Sequence, residues 1–349
     1  MNDFKIDGIS IGLSHRPLVI AEMSGNHNQS LGRALEITKA AAATGAQMLK
    51  LQTYTADTMT LDVHEGEFFI DDPKSLWKGS SLYDLYKVAY TPWEWNEPIM
   101  KYAKELGMSC FSTPFDATAV DYLEDLNVPA YKIASFENTH LPLIKKVAST
   151  GKPMIISTGM ASITEMDEMV QTIRDAGCEK FILLKCTSTY PATPENSNVL
   201  TIPHMRKLFN CEVGLSDHTM GIGSSVAAVA NGATVIEKHF TLNRADGGVD
   251  SAFSLEPEEM KQLVIETERA WQSLGRVKYG STKAEKGSIT FRRSIYIAED
   301  MKKGDVLNKA NLLIVRPGLG LPPKYYDTLL GRKVNQDLKK GTAASWDIF

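Results

Sequence analysis

The segment "VIEKHFTLNR", residues 235–244, starts as an apolar strand and then presents three ionisable side chains in a row, Glu237, Lys238 and His239. An apolar run that ends in charged groups is typical of a buried strand that reaches a site. Buried charges are costly unless they are paired or bind something. Segments of the same kind recur along the chain, and together they predict its fold.

Eight short apolar strands alternate with helices over about 270 residues. They lie at "PLVIAEMS", "AQMLKLQTY", "MSCFSTPFD", "AYKIASFE", "PMIISTGM", "KFILLKCTSTYP", "CEVGLSDHT" and "ATVIEKHFT". This pattern predicts an α/β protein with a parallel (β/α)8 TIM barrel. An open doubly wound sheet is the alternative, and the count of eight favours closure. Thr91 is expected to be the N-cap of the helix that ends at Gly107.

The alternation of apolar strands and helices ends after Gly275. Residues 276–290 are polar and lack periodicity, which predicts a linker. From Phe291 onward, short strand-like pieces are separated by K-G-D and K-K-G turns. The sequence therefore predicts a barrel domain over 1–275 and a small β-rich domain over 291–349.

The composition excludes several classes of protein. The 349 residues carry a net charge of −4, so no global basic field attracts nucleic acid. No apolar run approaches the ~18 residues of a membrane span, and the first residues lack the pattern of a signal peptide. The four cysteines show no C-x-x-C spacing, which predicts reduced thiols. We therefore expect a cytoplasmic protein with no nucleic-acid or membrane partner.

The predicted strands mostly end in polar residues. Because the active site of such a barrel lies at the C-terminal ends of its strands, these residues predict a polar pocket. The candidates are Glu22, Ser24, Lys50, Gln52, Thr113, Lys132, Ser135, Glu137, Ser157, Lys185, Ser188, Tyr190, Ser216, Asp217, His218, Glu237, Lys238 and His239.

His218 and His239 end the seventh and eighth strands. Adjacent strands lie about 4.8 Å apart, so two imidazoles at this place are able to share a divalent ion. Glu22, a substrate oxygen or water would complete its coordination. Two hydrogen-bonded histidines without a metal are the alternative, since two ligands are too few to define a site.

Lys50 and Lys132 suit a bound phosphate or carboxylate. The segment "STGM", residues 157–160, is expected to enter a helix and to present backbone N–H groups to the same anion. Alternatively, each lysine forms a structural ion pair with a glutamate at a strand end, and Glu137 is the expected partner.

Taken together, "IAEMSGNHN", "KLQTYT", "FSTPFD", "YKIAS", "ISTGM", "GLSDHT" and "IEKHFTL" resemble the motifs of the sialic acid synthase family, in order and spacing. The closing "FRRSIY", "RPGLGLPP" and "LLGRKV" resemble its C-terminal SAF domain, which is similar to type III antifreeze protein. "LYDLYKVAYTPWEW" and "DGGVDSAFSLEPEE" resemble most the branch that makes pseudaminic acid. The N-acetylneuraminic and legionaminic acid branches are the alternatives.

The resemblance implies a transferase activity. Phosphoenolpyruvate would condense with 2,4-diacetamido-2,4,6-trideoxy-altrose and water, and phosphate would leave through C–O cleavage to give pseudaminic acid. The resemblance also implies a divalent ion, typically Mn²⁺ with Mg²⁺ or Co²⁺ as alternatives. It further implies a domain-swapped homodimer in which each SAF domain covers the partner's active site.

The resemblance assigns roles by motif. His218 and His239 are the implied metal ligands, and Glu22, Glu137, Lys50 and Lys132 are the implied catalytic residues. The implied substrate-binding residues are Thr113, Ser135, Ser157, Ser188, Tyr190, Asp250, Phe291 and Arg316. Arg316 would reach across the dimer to the N-acetyl group of the sugar. Ser188 departs from the family pattern, because the sialic branch commonly has Asn there.

Two other functions compete with this interpretation. A Schiff-base aldolase would use Lys132 or Lys185 as its nucleophile and would not need a metal. A carbohydrate- or surface-binding protein would use the C-terminal domain for binding and the barrel as a scaffold. The many polar strand ends argue against a scaffold, since a scaffold barrel needs no charged residues there.

Overall fold

The chain forms two compact units, Met1–Gly275 and Arg276–Phe349. They are seen in a computed structural model that describes residues 3–73 and 75–349. In the first unit, a short antiparallel hairpin of β1 (Phe4–Ile6) and β2 (Ile9–Ile11) precedes a closed parallel barrel. The barrel strands are β3 (Leu18–Glu22), β4 (Met48–Thr53), β5 (Ser109–Pro114), β6 (Tyr131–Ile133), β7 (Met154–Ser157), β8 (Phe181–Cys186), β9 (Glu212–Asp217) and β10 (Val235–His239).

Ten helices belong to the first unit among the residues described. They are α1 (Leu31–Ala43), α2 (Ala56–Met59), α3 (Leu82–Ala89), α4 (Asn96–Glu105), α5 (Ala117–Asp125), α6 (Leu141–Ala148), α7 (Ile163–Asp175), α8 (Thr201–Phe209), α9 (Gly223–Ala230) and α10 (Pro257–Leu274). α2 and α3 lie in the long insertion between β4 and β5. The remaining helices follow the barrel strands, as expected for a TIM barrel.

Strand register closes the barrel and aligns its polar residues. Strand β10 pairs with β3, so that Val235 lies opposite Leu18 and His239 lies opposite Glu22. β10 also pairs with β9 on its other side, and Lys238 lies opposite Asp217. The barrel strands follow one another in sequence order, which confirms the predicted fold class.

The interior of the barrel is apolar at one end and polar at the other. A buried cluster at the N-terminal end includes Leu18, Ile20, Met48 and Phe111, together with Ile6 of the hairpin. A second, larger cluster lies between the strands and the surrounding helices. Apolar packing therefore fills most of the barrel, and polar side chains collect at the C-terminal ends of the strands.

The second unit has a hydrophobic core of its own. Strands β11 (Ser294–Ile297) and β12 (Leu312–Val315) pair antiparallel, and a short helix, α11 (Tyr326–Leu329), follows them. Ile295, Leu312 and Leu329 are fully buried in this core. The small β-rich character agrees with the expectation from the sequence.

Several local features differ from the predictions. The hairpin and α8 were not predicted, and Thr91 is not a helix N-cap. The helical segment after it begins with a 3-10 turn, Trp93–Trp95, whose N-cap is Pro92. The Thr91 hydroxyl instead lies 3.1 Å from Nε2 of buried His27. All four cysteines are free and buried. Among the described residues, no helix has both the length and the hydrophobicity needed to cross a bilayer.

Candidate active site

Strand register assembles the site. Glu22, at the end of β3, lies opposite His239 on one side and opposite Lys50 on the other. Side chains alternate along each strand, so Lys50 and Gln52 share a face while Leu49 and Leu51 pack in the outer core. The same alternation directs Glu237 and His239 to the cavity and Lys238 away from it. The cavity is therefore lined by residues from every second position of the strands.

The floor of the cavity is a buried network of opposite charges. Lys50 Nζ lies 2.9 Å from Glu22 Oε2 and 3.7 Å from Glu237 Oε1. Lys132 Nζ lies 3.8 Å from the same Glu237 oxygen. The structure therefore corrects the predicted ion pair: the partners of the two lysines are Glu22 and Glu237, not Glu137. Buried ion pairs recover their desolvation cost only in part, so this network is better explained by function than by stability.

Burial shifts the proton equilibria of this network. It raises the pKa of Glu22 to about 7, although the charge of Lys50 opposes the shift. Burial also raises the pKa of Glu237, but Lys132 and Lys50 lower it overall. No Lys, Arg or His of the described residues forms an ion pair with Glu137, and burial raises the pKa of Glu137 to about 7. Glu22 and Glu137 are thus suited to exchange protons near neutral pH.

The two histidines lie side by side. The ring centroids of His218 and His239 are 5.3 Å apart. His218 Nδ1 lies 3.0 Å from the carbonyl oxygen of Thr187, so Nδ1 donates a hydrogen bond and Nε2 is the nitrogen left for another partner. His239 Nδ1 is buried without a hydrogen-bond partner and lies 3.6 Å from Asp250 Oδ2. The structure thus brings together the two residues predicted to meet.

A second group of donors gathers around Lys132. Its Nζ donates to Ser157 Oγ at 2.7 Å and to the carbonyl of Ile133 at 2.9 Å. Ser135 Oγ accepts a hydrogen bond from the backbone N–H of Gly159. Burial lowers the pKa of Lys132, although Glu237 opposes the effect. These donors are suited to hold an anion in place of their present partners.

The predicted role of "STGM" as a helix start is wrong. Helix α7 begins at Ile163 behind its own N-cap, Ser162, so residues 157–160 form a turn before it. Within this turn the N–H of Thr158 donates to the Leu184 carbonyl. A Cβ on Gly159 would lie 2.1 Å from Ser188 Oγ and 2.6 Å from Ser135 Oγ. Gly159 therefore allows these two hydroxyls to approach the turn.

The cavity encloses about 360 Å³, which suits a small-molecule site. Its polar lining residues include most of the predicted set: Lys50, Lys132, Ser135, Glu137, Ser157, Ser188, Tyr190, His218, His239 and Asp250. Glu22 lies beneath Lys50, and Thr113 Oγ1 accepts a hydrogen bond from Lys50 Nζ at 3.3 Å. Most of the predicted residues of the barrel thus lie around one space, whereas Lys185, Asp217 and Lys238 do not line it.

A family model described as the NeuB family matches residues 37–279, and a model described as the SAF domain matches residues 292–349. The chain belongs to the NeuB family. The match covers more than half of the chain and spans most of the strands that form the cavity. The predicted family is confirmed.

Individual relatives agree with the NeuB assignment. A pseudaminic acid synthase of Campylobacter jejuni is 41% identical and covers 95% of this chain and 96% of its own length. An N,N'-diacetyllegionaminic acid synthase of Legionella pneumophila is 35% identical and covers 98% of each chain. A crystal structure of an N-acetylneuraminic acid synthetase from Leptospira borgpetersenii is 30% identical, with a TM-score of 0.74 over 82% of this chain and 95% of that one. The predicted enzyme class, a transferase-type synthase, is confirmed.

The sequence placed Glu237, Ser24 and Gln52 in the polar pocket of this NeuB-family site, and all three line the cavity. It did not give any of them an individual role. Gln52 Nε2 donates to Glu22 Oε1 at 2.8 Å, and the hydroxyl of Ser24 donates to the carboxylate of Asp250. Their position at strand ends was the available signal, but it does not distinguish a residue that binds substrate from one that orients its neighbour.

The insertion between β4 and β5 also lines the cavity, and the sequence did not indicate this. Trp77 Nε1 donates to the carbonyl of Val249 at 3.0 Å, and the Trp77 ring lies 6.0 Å from that of Tyr190. Tyr190 in turn lies 4.6 Å from the His218 ring. The insertion is therefore connected to the residues that surround the two histidines.

Two predicted residues belong to the second unit of the NeuB-family chain. Phe291 ends the 3-10 segment Gly287–Phe291, and Arg316 follows β12. Both are exposed in that unit. Their roles in substrate binding remain predictions.

The donors of the site fit a divalent ion held by two nitrogen ligands. Burial lowers the pKa of His239 well below its usual value, so this imidazole is neutral, as ligation requires. The Nδ1 of His239 has no hydrogen-bond partner, and Nε2 is the His218 nitrogen that does not bond to the Thr187 carbonyl. Burial lowers the pKa of His218, but the neighbouring Cys186 raises it overall, so an ion bound there would displace a proton. Within residues 3–73 and 75–349, no three His, Cys, Asp or Glu side chains cluster as a complete metal site. The residues therefore fit an ion that keeps several positions for water and substrate oxygens.

Proposed function

We propose that the chain is a pseudaminic acid synthase. It condenses phosphoenolpyruvate with 2,4-diacetamido-2,4,6-trideoxy-altrose and water to give pseudaminic acid and phosphate. One observation carries the proposal: two buried lysines and two adjacent imidazoles face a single cavity. The family and the relative with 41% identity support it.

Lys50, Lys132, Ser135, Ser157 and Thr113 bind phosphoenolpyruvate in this proposal. The buried ammonium groups exchange their glutamate partners for the carboxylate and phosphate of the substrate. Their charges are most useful as phosphate departs, because negative charge then develops on the leaving group. C3 of phosphoenolpyruvate thereby faces the aldehyde carbon of the sugar.

His218 and His239 hold the divalent ion, for which Mn²⁺ is the first choice and Mg²⁺ or Co²⁺ the alternatives. When bound, the ion supplies Lewis acidity to the sugar aldehyde. The surrounding residues orient the sugar: Asp250 accepts hydrogen bonds from its hydroxyls, and Tyr190 and Ser188 contact it beside the two histidines. This arrangement brings the aldehyde to the phosphoenolpyruvate.

The reaction needs one proton delivered to the aldehyde oxygen and one removed from the attacking water. Glu22 and Glu137 are the carboxyl groups with a pKa of about 7 at the cavity, and they are assigned these transfers. The new C3–carbon bond forms first. Water then adds at C2, and the bond between C2 and the phosphate oxygen breaks.

The test is a phosphate-release assay with phosphoenolpyruvate and a panel of sugars, with and without EDTA. The panel contains stereoisomers of the diacetamido-trideoxy hexose and N-acetylmannosamine. The altro isomer is expected to give the highest kcat/KM, and EDTA is expected to abolish turnover. The highest kcat/KM with N-acetylmannosamine would instead identify an N-acetylneuraminic acid synthase, and with a different trideoxy isomer, a legionaminic acid synthase.

The aldolase with Lys132 as nucleophile is the second candidate, because burial lowers the pKa of this lysine as a Schiff base requires. Lys185 is not favoured, since its Nζ donates to the carbonyl of Cys186 and to Thr187 Oγ1 and does not line the cavity. Borohydride inactivation in the presence of a sugar, with no effect of EDTA, would support the aldolase and reject the synthase.

A further inference from the structure

Helix α3 turns an apolar face toward the active-site cavity. Leu82, Leu85, Tyr86 and Ala89 recur at the i, i+3, i+4 and i+7 positions of one helix face, and all four line the cavity. We call these four residues the apolar stripe. None of them belongs to the hydrophobic clusters formed by the described residues. Their apolar surface therefore faces a space that the substrate occupies, not a packed core.

Several contacts hold the apolar stripe in position. The side chain of Gln29 donates to the backbone carbonyls of Val88 and Tyr90 at 2.8 and 2.6 Å. A Cβ on Gly25 would lie 2.9 Å from the Ala89 carbonyl oxygen, so the end of α3 packs closely on the end of β3. The stripe is thus fixed against the barrel.

The apolar stripe lines the same cavity as the charged floor. The Tyr86 ring packs edge-on against Tyr54 with centroids 5.8 Å apart, and burial together with the nearby Glu137 carboxylate raises the pKa of Tyr86. Met59, Ile70 and Trp77 extend the apolar surface along the same insertion. A sugar bound in this cavity therefore has both charged groups and hydrocarbon within its surroundings.

We infer that the apolar stripe selects an acceptor sugar whose terminal carbon is a methyl group. The inference rests on the proposed function, which places C1 of the sugar at the histidines. The C6 methyl of a 6-deoxy sugar buries apolar area against Leu82 and Leu85 without losing a hydrogen bond. A 6-hydroxyl group at the same place exchanges water for hydrocarbon and loses its hydrogen bonds.

The test uses two matched pairs of sugars that differ only by the oxygen on C6. The first pair is 2,4-diacetamido-2,4,6-trideoxy-altrose and its 6-hydroxy analogue, and the second is 6-deoxy-N-acetylmannosamine and N-acetylmannosamine. Binding of each is measured by calorimetry with Mn²⁺ and without phosphoenolpyruvate, so that no condensation occurs during the titration. The wild type is expected to bind the 6-deoxy member about 10- to 100-fold more tightly, the range for an apolar pocket that discriminates against a hydroxyl.

Leu85→Asn is expected to reduce this preference by about tenfold while the KM for phosphoenolpyruvate stays unchanged. Leu85→Met keeps the apolar surface and is expected to keep the preference. Val88→Asn is the matched control, because Val88 lies on the exposed side of the same helix. If the asparagine variant does not fold, Leu82→Thr tests the same face.

Equal binding within the pairs by the wild type, or an unchanged preference in Leu85→Asn, would overturn the inference. Failure of the proposed function looks different, because no sugar then supports phosphate release while the binding preference is still measurable. A preference for the 6-deoxy member that Leu85→Asn removes supports the inference whichever sugar is turned over fastest.

Discussion

At the residue scale, the site depends on ionisable groups that the barrel buries together. Lys50, Lys132, Glu22 and Glu237 are each almost inaccessible to solvent, yet they remain close enough to exchange partners. Such a network costs stability unless a ligand uses it. Each of these residues therefore has a function that its contribution to folding does not explain.

His239→Ala tests the proposed ligand pair. We expect it to lower synthase activity by at least about a hundredfold, since a group that stabilises developing charge is lost. It is also expected to remove Mn²⁺ binding, measured by the EPR signal of free Mn²⁺, while the far-UV circular dichroism is unchanged. His204→Ala, an exposed site on α8, is the control. Unaltered Mn²⁺ binding in His239→Ala would contradict the assignment.

Glu137→Gln tests the raised pKa of the buried Glu137 carboxyl by its effect on the stability of the fold. A carboxyl whose pKa rises on folding stabilises the fold fully only below its ordinary pKa, and this contribution is lost as the pH rises through about 7. Relative to the wild type, the free energy of unfolding of the variant should rise little near pH 5 and by at most about 3 kcal/mol near pH 8.5. Urea unfolding at both pH values measures this difference.

The exposed Glu179→Gln is the control for this measurement. Its stability relative to the wild type should change little between the two pH values. If Glu137→Gln also shows the same difference from the wild type at both pH values, Glu137 does not have the raised pKa that proton transfer requires.

At the element scale, an ion pair on the outer side of the barrel strands holds the ends of β9 and β10 together. Lys238 precedes His239 and Asp217 precedes His218, and these two residues form a buried ion pair with Nζ 2.8 Å from Oδ2. Asp217 also accepts hydrogen bonds from Thr219 and Ser225. The pair joins β9 to β10 directly beside the two imidazoles.

Lys238→Met removes one partner and leaves the Asp217 carboxylate buried. We expect a loss of about 3 kcal/mol of unfolding free energy, because an uncompensated buried charge is costly. Denaturant unfolding measures it. Lys302→Met, which breaks the exposed pair with Asp337, should change stability little. A similar small effect in both variants would show that the buried pair does not stabilise the strand ends.

The strands could be predicted because each is a short apolar run that ends in polar residues. β10 is the clearest case, since Val235 and Ile236 lead directly into Glu237, Lys238 and His239. Helix α8 was missed because the segment before it, residues 187–200, is a polar loop with two prolines and no strong helix signal. The N-terminal hairpin has only three residues in each strand, too few for an alternating pattern to be recognised.

The site was predictable where position along a strand determines contact. His218 and His239 meet because their strands are neighbours, and the motif resemblance independently pointed to the same pair. The partners of Lys50 and Lys132 were not predictable in this way. Glu237 reaches both across the barrel interior, because β10 lies two strands from β4 and four strands from β6. The contribution of α3 was also hidden, because a helix pattern does not indicate whether its apolar face meets a core or a cavity.

At the scale of the whole molecule, the chain combines two units with separate cores. The ionisable and hydroxyl groups of the cavity all come from the first unit. The family resemblance implies a dimer in which Arg316 and Phe291 of one protomer complete the site of its partner, and this stays a prediction. A test of this dimer must show that residues from two protomers act in one site.

Mixing two impaired variants tests the shared site, with activity measured at a sugar concentration where Arg316→Ala alone turns over little. His239→Ala lacks an intact barrel site and Arg316→Ala lacks the arginine, so each alone should have a raised KM for the sugar or little activity. After subunit exchange, each mixed dimer regains one intact site, and about a quarter of wild-type activity is expected from statistical mixing. Lys309→Ala in place of Arg316→Ala is the control for the exposed second unit. No recovery after verified exchange would contradict a site shared between protomers.

The most direct test of the central claim follows one oxygen atom. Phosphoenolpyruvate labelled with ¹⁸O in the oxygen that joins C2 to phosphorus is incubated with the enzyme, Mn²⁺ and the acceptor sugar. We expect the label to leave with inorganic phosphate, in an amount equal to the nine-carbon acid formed and only when the sugar is present. Label retained in the organic product, or phosphate released at the same rate without the sugar, would contradict the proposed condensation.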